Sequence, residues 1–212
     1  MGKTFRQAAV DFLFAPFRFT GISESSRIFG NLKLTTLEQE RIQALLPYIQ
    51  GRLLDIGCGK NMLVKEYKRT GGEGIGVDVY DYGGDAMIIE NSSNLAFPNG
   101  SFDTIVFAAC LNHIPYRLDA LREAHRVVNN QGQVIITMIN PVIGFLVHKI
   151  WELRRQGLDF ERGIGEGELY GLWGSEVVKL ATATGFRLVR HGRFDYTLNH
   201  LYIFEKEISE QV

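Results

Sequence analysis

The residues best placed to do chemistry lie in the run Leu53-Leu54-Asp55-Ile56-Gly57-Cys58-Gly59-Lys60-Asn61. An apolar strand that carries an acid and breaks into two closely spaced glycines lets the main chain approach a ligand, with the first amides of a following helix facing it. The run therefore predicts a cofactor-binding turn. It lacks the Lys-Ser/Thr ending of a triphosphate loop, and the G-x-G-x-x-G spacing of a dinucleotide fingerprint fails at Lys60-Asn61-Met62. A nicotinamide-dependent oxidoreductase is disfavoured on that spacing. His113 follows another apolar run, where an imidazole suits general-base work at the C-terminal end of a parallel strand, or else bonds the backbone or packs over a cofactor. Cys58 and Cys110 end two such runs; without basic neighbours in sequence they read as inert thiols. His148 and His200 have no partner spacing for a metal.

Short apolar runs must hold these groups in place. Residues 53–57, 74–79, 86–90, 102–109 and 133–139 read as strands, mostly continuous in apolarity, as a sheet covered on both faces requires. Helical periodicity over Met62–Lys68 and Leu118–Val128 makes the order strand, helix, strand, the signature of a doubly wound parallel sheet. Ser175–Thr184 reads as a helix capped by Ser175. Phe186–Val189 and Leu198–Phe204 follow without an intervening helix, so their pairing is expected to be antiparallel. The expected fold is α/β and Rossmann-like, with helices on both faces of a mostly parallel seven-stranded sheet whose last strand is antiparallel.

One domain is expected over 1–212. Residues 1–50 form a helical lead-in, with Phe5, Ala8, Ala9, Phe12 and Leu13 at helical spacing up to Pro16. A second helix, near 35–49, starts after Thr35 or Thr36 and carries Leu37, Ile42, Leu45 and Leu46 inward. Residues 52–140 make the cofactor core, 141–174 an insert or lid, and 175–212 the closing helix and strands.

Composition narrows the class. A chain of 212 residues with 45 % hydrophobic and 22 % charged side chains is globular, not disordered or fibrous. Lys and Arg total 23 against 24 Asp and Glu, a net charge of -1 that gives no pull toward nucleic acid. Two cysteines are too few for a disulfide framework and fit a reducing cytoplasm. Asp11 and Pro16 interrupt the apolar N-terminal stretch, so neither a signal peptide nor a membrane span is expected.

The glycine turn resembles the first motif of the class I S-adenosylmethionine-dependent methyltransferases, D-x-G-x-G-x-G, at Asp55, Gly57 and Gly59. Asn61 replaces the third glycine, and Asn tolerates the left-handed backbone that position needs. The next strand, Gly74-Ile75-Gly76-Val77-Asp78-Val79, ends in an acid 23 residues beyond Asp55, close to the spacing of a ribose-binding carboxylate. Residues 90–103, ENSSNLAFPNGSFD, are similar to the family's D-A-x-x-L-P-F-x-x-x-S-F-D; Asn91 stands where an acid meets the adenine amino group, and Ala96 where proline is usual. Ala109-Cys110-Leu111-Asn112-His113-Ile114-Pro115 looks like the loop that closes over the cofactor. Asn129-Asn130-Gln131-Gly132 replaces a turn that usually carries proline and paired glycines. The resemblance implies S-adenosylmethionine as cofactor, held by Asp55, Gly57, Cys58, Gly59, Asn61, Asp78, Val79, Asn91, Ser92, Ala109 and Cys110. Its flavour is that of small-molecule, quinone-methylating enzymes.

Methyl transfer from a sulfonium is a direct displacement, so the protein chiefly aligns the nucleophile and excludes water; a base, His113, is needed only for an acceptor that must lose a proton. The acceptor site must come from the lead-in and the insert. Phe14, Phe17, Phe19, Trp151, Phe160, Tyr170 and Trp173 either line an apolar pocket or cover the sheet edge, with Arg154, Arg155 and Arg162 available to an anionic group. Aromatic residues near Arg6 and Arg18 would suit a membrane surface and a lipid-like acceptor. A second reading stays open beside the enzyme: a degenerate member kept as a binding or assembly module, suggested by the substitutions at Asn61, Asn91, Ala96 and Asn129–Gln131. Oligomeric state is not legible in the sequence.

Overall fold

The computed structural model describes residues 5–13, 35–154, 165–195 and 197–207. Seven strands form one sheet: β1 (Arg52–Ile56), β2 (Glu73–Asp78), β3 (Met87–Ile88), β4 (Phe102–Ala108), β5 (Val128–Ile139), β6 (Phe186–Phe194) and β7 (Asn199–Lys206). Their spatial order is β3-β2-β1-β4-β5-β7-β6, parallel except for β7, which runs antiparallel to both neighbours. The expected Rossmann-like architecture is what the sequence forms. Among the described residues six α-helices accompany it: α1 (Phe5–Leu13), α2 (Leu37–Leu45), α3 (Met62–Arg69), α4 (Arg117–Val127), α5 (Pro141–Arg154) and α6 (Gly174–Thr182).

The continuous apolar strands divide their side chains between two cores. Leu54, Ile56, Ile105, Phe107, Val134, Ile136, Tyr202 and Phe204 pack with Ala120, Leu121 and Val127 of α4 and Val177 and Ala181 of α6. Leu53, Val106, Ile135, Leu201 and Ile203 pack on the opposite face with Leu45 of α2 and Leu63 and Val64 of α3. The period of two survives inside runs with no polar alternation because each face of the sheet has its own helical layer.

Several boundaries differ from the sequence expectation. The β3 strand is two residues, not five, and β6 runs on to Phe194 because β7 pairs with it along its length. The turn expected at Asn129–Gly132 is a bulge inside β5: Phe102 faces Val128 and Thr104 faces Gln133, so the intervening residues loop out of register. Asn129 Oδ1 accepts from the Gln131 amide there. Helix α6 starts at Gly174, so Ser175 lies within it; the Trp173 amide is satisfied instead by Glu176 Oε2 at 2.8 Å.

In the lead-in, Thr36 caps α2 through a reciprocal pair with Gln39. On α1 Asp11 is buried; it accepts from the Thr35 amide and hydroxyl and ties α1 to the start of α2. Phe12 and Leu13 are exposed. Phe14, Phe17, Arg18, Phe19, Arg155, Phe160 and Arg162 lie outside the described residues. No helix among the described residues is long and apolar enough to cross a membrane.

Candidate active site

Strand register places Asp55 between Gly76 of β2 and Val106 of β4, at the C-terminal ends where ligands bind in open parallel sheets. The chain then turns sharply. Gly57, Gly59 and Asn61 all take positive φ, 71°, 53° and 60°. The amides of Gly57 and Cys58 donate to the Val77 carbonyl at 2.9 and 3.1 Å, which fastens the turn to β2. The two glycines serve different ends. A Cβ on Gly57 would lie 2.7 Å from Cys110 Cβ, so packing forbids it, whereas a Cβ on Gly59 would meet nothing within 4 Å. Gly59 faces the space a ligand needs. Asn61 is buried in the left-handed conformation anticipated for it, and its Nδ2 donates to the Asp85 carbonyl.

Asp78 links turn and strand: Oδ2 accepts from the Gly59 amide at 2.8 Å and Oδ1 from the Tyr80 amide at 3.1 Å. Each oxygen has a second lone pair for a diol. Val79 next to it is exposed, and Ser92 is buried. Asn91 is exposed, and its Oδ1 already accepts from the amide and hydroxyl of Ser93. The loop bearing Asn91 and Ser92 is anchored from α4, where Arg126 donates to the carbonyls of Leu95 and Phe97 and Glu123 accepts from the Leu95 amide. Ala109, just after β4, has a φ of 54°, a costly conformation for a residue with a Cβ. Cys110 Sγ donates to the Ile56 carbonyl at 2.8 Å.

The electrostatics single out the floor of this turn. Asp55 is 1 % exposed, and its Oδ1 is buried with no hydrogen-bond partner. Burial, then repulsion from Asp78, pushes its carboxyl up to about 8, with Arg41 acting in the opposite direction. Arg41, on α2 one turn before Leu45, also has a buried and unpartnered Nε. Desolvation lowers its guanidinium from the ordinary value, while Glu38, Asp195, Cys110 and Asp55 oppose the shift. Burial and the neighbouring carboxylates Asp55 and Asp78 hold both thiols, Cys58 and Cys110, above the usual range, which makes them poor nucleophiles. The residues fit S-adenosylmethionine: the unpartnered Asp55 Oδ1 suits an ammonium and the unpartnered Arg41 Nε a carboxylate, Gly59 leaves room, and Asp78 suits a ribose.

Beyond Cys110 the loop passes through a short 3-10 turn, Leu111–His113, and meets residues 167–169. The Leu169 amide donates to the Asn112 carbonyl at 2.9 Å, and Asn112 Nδ2 returns a bond to the Leu169 carbonyl at 2.8 Å. Arg117 Nη2 donates to the carbonyls of Asn112 and Gly167. Clamped in this way, Glu168 Oε2 sits 3.2 Å from His113 Nδ1. The ring of His148, on α5, lies 5.7 Å from that of His113 and 5.4 Å from Tyr170, which packs edge-on against Phe145. Tyr170 is thus gathered at the His113 end of the site, whereas Trp173 is exposed at the start of α6. His200 lies elsewhere, bonded to His191 across β6 and β7.

Sequence reasoning missed Arg41 and Glu168. An arginine on a charged amphipathic helix looks solvated, and Glu168 lies 55 residues from its histidine in an irregular segment. The only signal for Arg41 was its i, i+4 spacing to the inward Leu45.

Comparison with known proteins agrees with this geometry. The ubiquinone biosynthesis O-methyltransferase of Pseudomonas aeruginosa is 27% identical over 189 residues, covering 74% of this chain and 78% of that protein. A 27-O-demethylrifamycin SV methyltransferase from Amycolatopsis mediterranei is 28% identical over 123 residues, covering 48% of this chain and 44% of its own. Among solved structures, a SAM-dependent methyltransferase of Thermotoga maritima, described as a possible histamine N-methyltransferase, superposes with a TM-score of 0.60 at 18% identity, covering 79% of this chain and 88% of that one. The family model for a methyltransferase domain matches residues 28–191, and the chain therefore belongs to that family, as an S-adenosylmethionine-dependent methyltransferase.

Proposed function

We propose that the protein methylates a small-molecule acceptor, lipid-linked molecules included, in the cytoplasm, with His113 as the base. The observation that supports this reading above all is the docking of residues 167–169 onto the loop after β4, which closes a wall around His113 beside the glycine turn. A wall built from the insert suits an acceptor small enough to be enclosed. The Pseudomonas and Amycolatopsis relatives, named for ubiquinone biosynthesis and for 27-O-demethylrifamycin SV, both point to small molecules.

When bound, S-adenosylmethionine supplies an electrophilic methyl group on a sulfonium. The residues of this chain orient it. Asp55 accepts from the ammonium, Arg41 faces the carboxylate, Gly57, Cys58, Gly59 and Asn61 shape the turn, and Asp78 takes the ribose hydroxyls, with Val79 beside it. Asn91 and Ser92 lie at the adenine end; because the Asn91 oxygen serves Ser93, its amide is left to donate to a ring nitrogen instead of accepting from the amino group. Ala109 and Cys110 back the reacting centre, and the insert excludes water. The exposed Val142, Phe145 and Leu146, at i, i+3 and i+4 on α5, support contact with a membrane surface and hence a lipid-linked acceptor.

Calorimetric titration with S-adenosylhomocysteine tests the cofactor site: one saturable site per chain is expected, and no heat up to millimolar ligand would sink the reading. Sedimentation with anionic vesicles checks the surface contact, which requires the protein to pellet with them.

A further inference from the structure

We propose that Glu168 is the positioning residue of a histidine–carboxylate pair that commits this site to a hydroxyl acceptor. The inference rests on the reading of His113 as the base. Glu168 comes from the insert, yet its side chain is only 5% exposed and its Oε2 lies 3.2 Å from His113 Nδ1. A buried carboxylate is costly unless it is paired, and an ionised one can only accept. It therefore takes the proton on Nδ1, which leaves the lone pair on Nε2 as the basic position of the neutral ring.

The pairing is held from both sides. Asn112, just before His113, and Gly167 and Leu169, flanking Glu168, are joined by the two Arg117 bonds and the reciprocal Asn112–Leu169 pair. The groups that face the pair include Arg117 from α4, which sets a positive charge near Glu168, His148 from α5, and Tyr170 behind His148.

A fixed imidazole tautomer matters most for one class of nucleophile. A neutral amine brings its own lone pair, and a thiol ionises within reach of neutrality. A hydroxyl, with a pKa of about 10 for a phenol and higher for an alcohol, is a weak nucleophile until its proton leaves. In the step assigned here, the hydroxyl proton passes to His113 Nε2 and the oxygen lone pair forms the new bond to the methyl carbon. The bond from that carbon to sulfur breaks with its electron pair on sulfur. The imidazolium, stabilised by Glu168, then returns the proton to water.

The test uses the full chain with ¹⁵N-labelled histidine, recorded at pH 8.5, for wild type, Glu168→Leu and Glu168→Gln. His113 is expected as the Nδ1–H tautomer in the wild type, with the ratio of that form to Nε2–H falling about fivefold or more in Glu168→Leu and less in Glu168→Gln. A purely structural role would not move the tautomer. The same ratio in wild type and both variants overturns the pairing. With S-adenosylmethionine and 2-aminophenol as probe, methylation at oxygen supports the acceptor class and methylation at nitrogen overturns it. Failure to bind S-adenosylhomocysteine would instead sink the underlying cofactor reading, which the tautomer measurement does not depend on.

Discussion

The two ends of the site are built by opposite means. At the cofactor end the main chain is bent into left-handed turns, bonded amide to carbonyl, and its buried polar side chains Asp55 and Arg41 keep atoms without partners. At the His113 end side chains do most of the fastening: beside one main-chain bond from the Leu169 amide to the Asn112 carbonyl, Arg117, Asn112 and Glu168 hold residues 167–169 to the loop after β4. A turn fixed by strands can leave groups unsatisfied and wait for a ligand of constant shape. A wall fixed by a few side chains can be rebuilt around a different acceptor without disturbing that turn.

The sharpest way to break this contrast is to substitute the glycines. Gly57→Ala places a Cβ against Cys110 at a φ of 71° and should cost about 2–4 kcal/mol in urea unfolding. Gly59→Ala meets nothing, so only its backbone strain, about 1 kcal/mol, should appear. Equal losses at the two positions would refute the division of labour between them.

Next in size is Arg41→Met. Loss of a charged hydrogen bond should weaken S-adenosylhomocysteine about 10- to 100-fold by calorimetry and leave 5′-methylthioadenosine, which lacks the carboxylate, unchanged. A matching loss for both ligands would place Arg41 in the fold instead of the site.

Asp55 is expected to make cofactor binding pH-dependent. With its carboxyl at about 8, the free protein holds a proton at pH 7 that a cationic ligand expels. Affinity should rise about tenfold per unit as pH increases toward 8 and then level off, with close to one proton released at pH 7 in calorimetry run in two buffers. The folded carboxyl lies above its unfolded value of 3.8, so the ligand-free fold should lose stability as pH rises from about 4 to about 8. Asp55→Asn should flatten both trends.

The smallest effect belongs to the other end. Arg117→Met removes one bond to the Gly167 carbonyl and one to the Asn112 carbonyl and should speed hydrogen exchange at the Leu169 amide about fivefold, with global unfolding little changed. A large fall in global stability would mean that the insert is part of the core.

The mostly parallel sheet with its antiparallel last strand and the glycine turn were legible because buried strands and left-handed turns restrict residue type strongly: apolar runs have one use in a covered sheet, and Asn61 is among the few side chains its φ admits. Arg41 and Glu168 were not legible because their roles come from burial, and burial of a charged residue leaves no local mark on composition. Asn91 shows a further limit. Its own loop claims its oxygen through Ser93, a bond two residues away that the motif does not specify.

The placement of β7 bears on how the molecule is assembled. The strand latest in the chain lies between β5 and β6, both already made, so the sheet cannot grow outward in the order of synthesis. Until Asn199–Lys206 leaves the ribosome, β5 presents an unpaired edge and β6 has no neighbour, and a nascent chain in that state offers two open edges to other chains. Closing the sheet therefore waits on Asn199–Lys206, and slow translation of that strand would lengthen the period in which the chain is open to aggregation.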